Sequence, residues 1–320
     1  MMHRVRKARA DWTAGTSSLL DAVASLADER LCQHSRRLGS QGDGGWDLCL
    51  DLMPPPSKPC AVFSFGVGFD ASFDIDIATT YPHCEVITMD PTPSVSMALT
   101  ADDTLWRELL SGQLCTRAAP KHLSEAGCAI SLKRAVARQP ARAQSIQALS
   151  QAGRPSRLGS PTTLRQACKP SYDATTGLAN LRFRPWGLSA EDTEHATLKN
   201  EYTVAATAHN LTMLTLPTIA RRLRLSPTVL KADIEGGEIP IVARNASTLT
   251  RSGATQFLLE LHHGGVTGSG EWWQLLEAAA AAGYRVWRTA DARSQKGGGG
   301  YMIVVYLLLR PSPAPRDAMG

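Results

Sequence analysis

The chain predicts an α/β fold built on a doubly wound, mainly parallel sheet, and three observations carry that expectation. Short apolar runs suited to strands buried on both faces, such as Cys60–Phe63, alternate along the chain with helical patterns. Glycines and acids stand where those runs end, at Gly66 and Gly68 and again at Asp90. The last two apolar runs, Tyr284–Arg288 and Tyr301–Leu309, flank the Gly297–Gly300 loop and read as an antiparallel hairpin closing the sheet.

Before Trp46 there is one helical pattern, Leu19, Leu20, Val23, Leu26 and Leu31, followed by a glycine-rich turn. The Cys60 run then turns at Gly66 and Gly68 into a helix, whose first N–H groups face whatever the turn approaches. A second run, Cys84–Met89, ends in Asp90 and Pro91, and Asp102–Leu110 reads as a short helical piece. Beyond the next interruption, Leu181–Trp186 and Tyr202–Thr207 read as strands and Leu216–Leu225 as a helix. Val229–Ala232 is a core strand ending at Asp233, and Gly237–Thr250 is helical with Pro240 in its first turn. Gln256–Leu261 alternates as a strand, and the alanine-rich Glu271–Ala282 helix closes at Gly283.

The interruption is compositional. From Ser111 to Pro170 there are ten Lys and Arg residues, one acid and five prolines, so the positive charge of the chain lives there. Such a segment buries too little apolar surface to offset its ordering entropy and is expected to be disordered. Residues 44–110 and 176–310 then form two halves of one domain, with 1–43 an N-terminal extension, 111–175 the insertion and 311–320 a tail. The basic tract lacks interleaved aromatics, so a nucleic-acid partner is not expected.

With 320 residues and 43% hydrophobic content, the chain can bury a full core. No apolar run approaches the roughly 20 residues that span a bilayer, so no membrane span is expected. Arg4, Arg6, Lys7 and Arg9 open the chain without an h-region, which leaves organelle targeting open and a secretory signal unsupported. The seven scattered cysteines contain no CxxC pair. Buried free thiols in a reducing, cytoplasmic setting are expected, with a single Cys49–Cys60 bridge as the alternative for an exported chain.

The glycine turn is not a full GxGxxG fingerprint, because Ala71 stands where a third glycine is expected. That disfavours a pyrophosphate cradle and with it an NAD-type oxidoreductase. A turn facing a ligand with Asp90 on ribose hydroxyls is one reading; a tight turn with a solvated strand-end carboxylate is the other.

The blocks Gly45–Cys49, Cys60–Gly66, Ser72–Asp74, Cys84–Val86 and Asp90–Thr92, followed by Trp186–Ser189 and Leu230–Glu238, resemble the methyltransferase domain 22 family in order and spacing. The last block is shared with the wider FkbM-like methyltransferases. The resemblance covers about Gly44 to Leu309 apart from the insertion. It implies a seven-stranded Rossmann-like class I methyltransferase sheet, S-adenosylmethionine as methyl donor, and a small-molecule or protein acceptor that it does not identify.

On that reading Ser64, Phe65, Gly66, Gly68, Asp70 and Asp90 bind the donor, with Trp186 and Gly187 beside the adenine ring. Core packing of Trp186 is equally open. Asp233, Glu235 and His262 are the candidate catalytic residues, orienting or deprotonating an acceptor hydroxyl or amine. Glu238 and Glu260 stand in the same blocks, and the whole oxygen-rich set invites a divalent metal as a second reading. No HExxH-type spacing is present, so no residue is assigned to a metal. Asp233 and Glu235 also suit a purely turn-fixing role through bonds to backbone. A non-catalytic protein of the same fold, using its basic insertion on an acidic partner, is the rival function.

Overall fold

The computed structural model describes residues 1–39, 44–67, 71–91, 180–198, 208–234, 237, 252–263, 269–294 and 301–309. The chain divides into two units: Met1–Ser35, Cys49–Pro54 and Ala220–Gly320 form one, Arg36–Leu48 and Pro55–Ile219 the other.

The first unit opens with two helices, α1 (Met2–Thr13) and α2 (Leu19–Ala24). Only α2 lies in the predicted pattern. In α1 the buried residues are Val5 and Ala8, three apart, and the exposed turns are tied by a Lys7–Asp11 ion pair at i,i+4. With so thin an apolar stripe, α1 depends on tertiary contact: Trp12 packs on Trp273 and Arg9 pairs with Glu277 at 3.0 Å. Ser18 caps α2 by accepting the Asp21 N–H.

A short pair, β1 (Ser35–Leu38) and β2 (Trp46–Cys49), follows. Then come β3 (Cys60–Phe65), α3 (Ser72–Thr80), β4 (Cys84–Met89) and β5 (Leu181–Arg184), all in the second unit. Every residue of β3 is buried, as a parallel strand covered on both faces demands. It pairs in parallel with β4 from Cys60↔Cys84 to Phe65↔Met89, and β4 pairs in parallel with β5. The α3 crossover buries Phe73, Ile75, Ile77 and Ala78. Buried Asp74 is satisfied by the Thr88 hydroxyl, which donates to it at 2.9 Å.

The same unit holds a second, three-stranded sheet of β6 (Trp186–Leu188), β7 (Thr193–Leu198) and β8 (Ala208–Leu214), ordered β6-β8-β7. The predicted Leu181–Trp186 strand is thus two strands in different sheets. Helix α4 spans Leu216–Leu223.

In the first unit β9 (Val229–Ala232) pairs in parallel with β10 (Gln256–His263), and β10 pairs antiparallel with β12 (Tyr301–Leu309). Between them run α5 (Ser269–Ala281) and β11 (Tyr284–Ser294), the latter antiparallel to β12. Buried Gln256 binds the backbone of Cys49 twice, accepting its N–H and donating to its carbonyl at 2.9 Å each. Seven strands form the main sheet in the order β11-β12-β10-β9-β3-β4-β5. One antiparallel strand, β12, is inserted between β10 and β11.

The cysteines correct the sequence-based expectation. Cys32 is bonded to Cys49 and Cys60 to Cys84, and no described cysteine is free. The Cys49–Cys60 alternative is also wrong, because each of the two has a nearer partner across a strand or turn. Cys60 and Cys84 face each other as register partners of β3 and β4. Closing loops of these lengths stabilises a chain by about 3 kcal/mol per bridge through the entropy of the unfolded state. Such bridges persist in oxidising compartments, which counts against the reducing setting taken as default. Tyr202–Thr207, Asp102–Leu110, Gly237–Thr250 as a helix, and the 111–175 insertion lie outside the described residues.

Candidate functional site

Polar side chains collect at the carboxyl ends of the parallel strands, the place where open α/β sheets bind ligands. In the second unit, β3 runs out at Phe65 into Gly66, whose φ of +74° is the left-handed conformation that glycine adopts at little cost. The Gly66 N–H continues the ladder to the Met89 carbonyl at 3.0 Å. The next N–H, of Val67, leaves the ladder and donates to Asp90 Oδ2 at 3.0 Å. Asp90 is only 3% exposed, so the solvated-carboxylate reading does not describe it. Its own N–H donates to the Arg184 carbonyl at 3.2 Å, which fixes the acid between β3 and β5. A carboxylate oxygen accepts more than one bond, so the Val67 contact leaves Asp90 the capacity to take hydroxyls as well.

Ser64 and Phe65 are fully buried strand residues. The Ser64 hydroxyl has no hydrogen-bond partner among the described residues, a cost that proteins seldom leave unrelieved. Gly187 sits in β6, where a Cβ would run into the Met213 sulfur and meet Pro91 Cγ at 2.8 Å. The residue is therefore glycine so that β6 can close on the segment that follows Asp90. Its neighbour Trp186 is partly exposed and pairs with Thr212 of β8. Gly68 and Asp70 lie outside the described residues.

In the first unit, alternation along β10 turns Leu259 and Leu261 to one face and Glu260 and His262 to the other. Register carries Ala232 opposite Leu259, so Asp233, one residue on, reaches the level of Glu260. His262 Nε2 lies 3.7 Å from Glu260 Oε1 and 3.9 Å from Asp233 Oδ1. The side chains of His262 and Glu260 are about as buried as core residues, at 6% and 7% exposed, while that of Asp233 is 27% exposed. The strand end is held from behind by buried Trp272, whose Nε1 donates to the His262 carbonyl at 3.0 Å. The turn after Asp233 is closed by backbone, Gly237 N–H to Ile234 O at 3.2 Å. Glu235 lies outside the described residues. Glu260 was absent from the predicted catalytic set, although the alternation that placed His262 places it on the same face.

The strand order, with β12 as the antiparallel insertion and an acid ending the strand next to the glycine turn, defines the class I methyltransferase fold. No family model matches the chain, and no curated protein matches it. Among solved structures, the chain is similar to the 16S rRNA (adenine(1408)-N(1))-methyltransferase from Catenulisporales acidiphilia at 14% identity. That match covers 79% of this chain and 89% of the other, with a TM-score of 0.32. The antibiotic-resistance methyltransferase Kmr is similar at 12% identity over 85% of this chain and 100% of its own, also with a TM-score of 0.32. The fold assignment rests on the strand order and not on likenesses of this size. They do correct one expectation, that nucleic acid is not a partner, since an enzyme similar in this way is named for action on 16S rRNA. Among the described residues no helix is long and apolar enough to cross a membrane.

Proposed function

We propose that the protein is an S-adenosylmethionine-dependent methyltransferase of the methyltransferase domain 22 type, acting on an oxygen or nitrogen acceptor. The observation that carries this reading is the buried Asp90 carboxylate bonded to the Val67 N–H beside Gly66. The turn and the acid are held together before any ligand arrives, as a ribose-binding acid next to a close backbone approach must be.

The residues present fit the donor. Asp90 accepts ribose hydroxyls, and Gly66 brings no side chain to the turn. Ser64 and Phe65 lead into that turn, and Ser64 brings an unsatisfied buried hydroxyl; Gly68 and Asp70 are assigned to the donor with them. Trp186 offers an aromatic face, with Gly187 letting its strand approach Pro91. The donor supplies a methyl group made electrophilic by a sulfonium centre.

In the transfer, the acceptor's lone pair forms a bond to the methyl carbon while the carbon–sulfur bond breaks and leaves its pair on sulfur. The acceptor's proton must go elsewhere. Asp233, Glu235 and His262 are the groups assigned to orient the acceptor and take that proton, a task of positioning with modest acid–base help.

Calorimetric titration of the purified protein with S-adenosylmethionine tests the reading. Saturable binding is expected, weakened about 100-fold or more in Asp90→Ala, because two charge-assisted bonds of roughly 1.5–3 kcal/mol each disappear. An Asp90→Asn variant keeps an acceptor for the Val67 N–H and separates the ligand contact from the turn contact. Incubation with labelled donor and panels of small molecules, proteins and RNA then identifies the acceptor class; no binding of the donor by a folded protein sinks the proposal.

A further inference from the structure

Two carboxylates and an imidazole meet at the end of β9 and β10. His262 Nε2 stands 3.7 Å from Glu260 Oε1 and 3.9 Å from Asp233 Oδ1, too far for hydrogen bonds. One ligand atom from each residue lies within 4.8 Å of the others. Two atoms that each bind one ion at about 2.1 Å are separated by about 3.0 Å at right angles and about 4.2 Å when opposite. The two separations from His262 fall inside that interval.

Burial sharpens the case. Glu260 and His262 are held away from water, and a buried carboxylate needs a positive partner or a metal. Lys231 is also buried, two residues before Asp233 and so on the same face of β9. The rigidity that a metal site requires is present: β10 is flanked by β9 and β12, and Trp272 anchors the His262 carbonyl. Glu260 and His262 close the site from the interior, while the exposure of Asp233 leaves one side open.

We infer that Asp233, Glu260 and His262 bind one first-row divalent cation of the Mn²⁺ or Zn²⁺ kind, because two carboxylates with one imidazole suit such ions. Three protein ligands leave coordination positions for a methyl acceptor that offers adjacent oxygen atoms. This second part rests on the methyltransferase reading above. In this arrangement His262 serves as a ligand rather than as the base, and acceptor oxygens on the cation lose their proton more readily.

The test uses the full chain, stripped with chelator, dialysed and free of methyl donor. MnCl₂ is titrated with detection of free Mn²⁺ by electron paramagnetic resonance, and ZnCl₂ by calorimetry. One equivalent of either ion should bind with a micromolar Kd, and Glu260→Gln and His262→Gln should each weaken that binding at least tenfold. Metal should also raise the melting temperature of the unaltered protein and not of the variants. The absence of saturable binding in a cooperatively melting protein overturns the site, as does binding that neither substitution affects. If Lys231 alone balances these acids, Lys231→Met destabilises the protein and no ion binds even to that variant, which also overturns it. Donor binding, measured separately, keeps the two readings apart: metal without donor sinks methyl transfer alone, and donor without metal sinks the cation site alone.

Discussion

The strand ends of β3 and β4 and those of β9 and β10 both carry buried acids, yet they hold them differently. Asp90 is fixed by backbone, taking the Val67 N–H and giving its own N–H to Arg184. His262 Nε2 stands 3.7 Å from Glu260 and 3.9 Å from Asp233, side chain beside side chain. The first arrangement is tied to backbone, whereas the second gathers side-chain atoms of three residues within 4.8 Å of one another.

The sharpest way to break this contrast is at Asp233. Asp233→Asn is expected to lower turnover by roughly 10²–10⁴-fold while donor affinity falls little, the mark of an interaction used in the transition state. If donor affinity falls equally, or the variant is simply unfolded, Asp233 belongs to the turn and not to the reaction. On the other side, Gly66→Val forces a branched side chain into a φ of +74° and should abolish donor binding, read by calorimetry, in a protein that still melts cooperatively. Normal binding there would show that the turn faces away from the ligand.

The bridges test how far each strand end owes its geometry to covalent closure. Cys60→Ala with Cys84→Ala should cost about 3 kcal/mol in denaturant melts, with a smaller effect on metal binding than on donor binding, because this pair joins β3 to β4. Equal stability with and without reductant would refute the bond.

A smaller effect belongs to Tyr284, buried beside the Ala254 carbonyl to which its hydroxyl donates. Burial pushes its pKa up to about 12. With the folded value above the unfolded one of about 10, its contribution is full below pH 10 and is lost as pH rises toward 12. The stability deficit of Tyr284→Phe, about 1 kcal/mol at pH 8, should therefore shrink between pH 10 and 12 in paired melts. The smallest change is expected from deleting Cys115–Lys169. Melting temperature and donor binding should stay nearly as they are, since loop closure depends only logarithmically on length; loss of folding would make that segment part of the structure.

What the sequence determined by itself was local and periodic. Cys60–Phe63, Cys84–Met89 and Val229–Ala232 are runs whose apolar character needs no partner to be read, and the structure places strands on all three, the first extending to Phe65. The acid after Met89, the glycine after Phe65 and the Glu260/His262 alternation were legible for the same reason, because a strand's period of two is written in consecutive residues. Tertiary structure decided the rest. It chose Cys32 for Cys49 and Cys84 for Cys60, since a cysteine carries no mark of its partner until strands are laid side by side. It made a helix of Met2–Thr13, whose thin apolar stripe depends on tertiary contacts such as Trp12 on Trp273 of α5. It also brought Asp233 level with Glu260, 27 residues apart in the chain, through the register of β9 on β10. Propensity and period act between neighbours in sequence, whereas register, disulfide choice and ligand convergence are set by packing between distant segments.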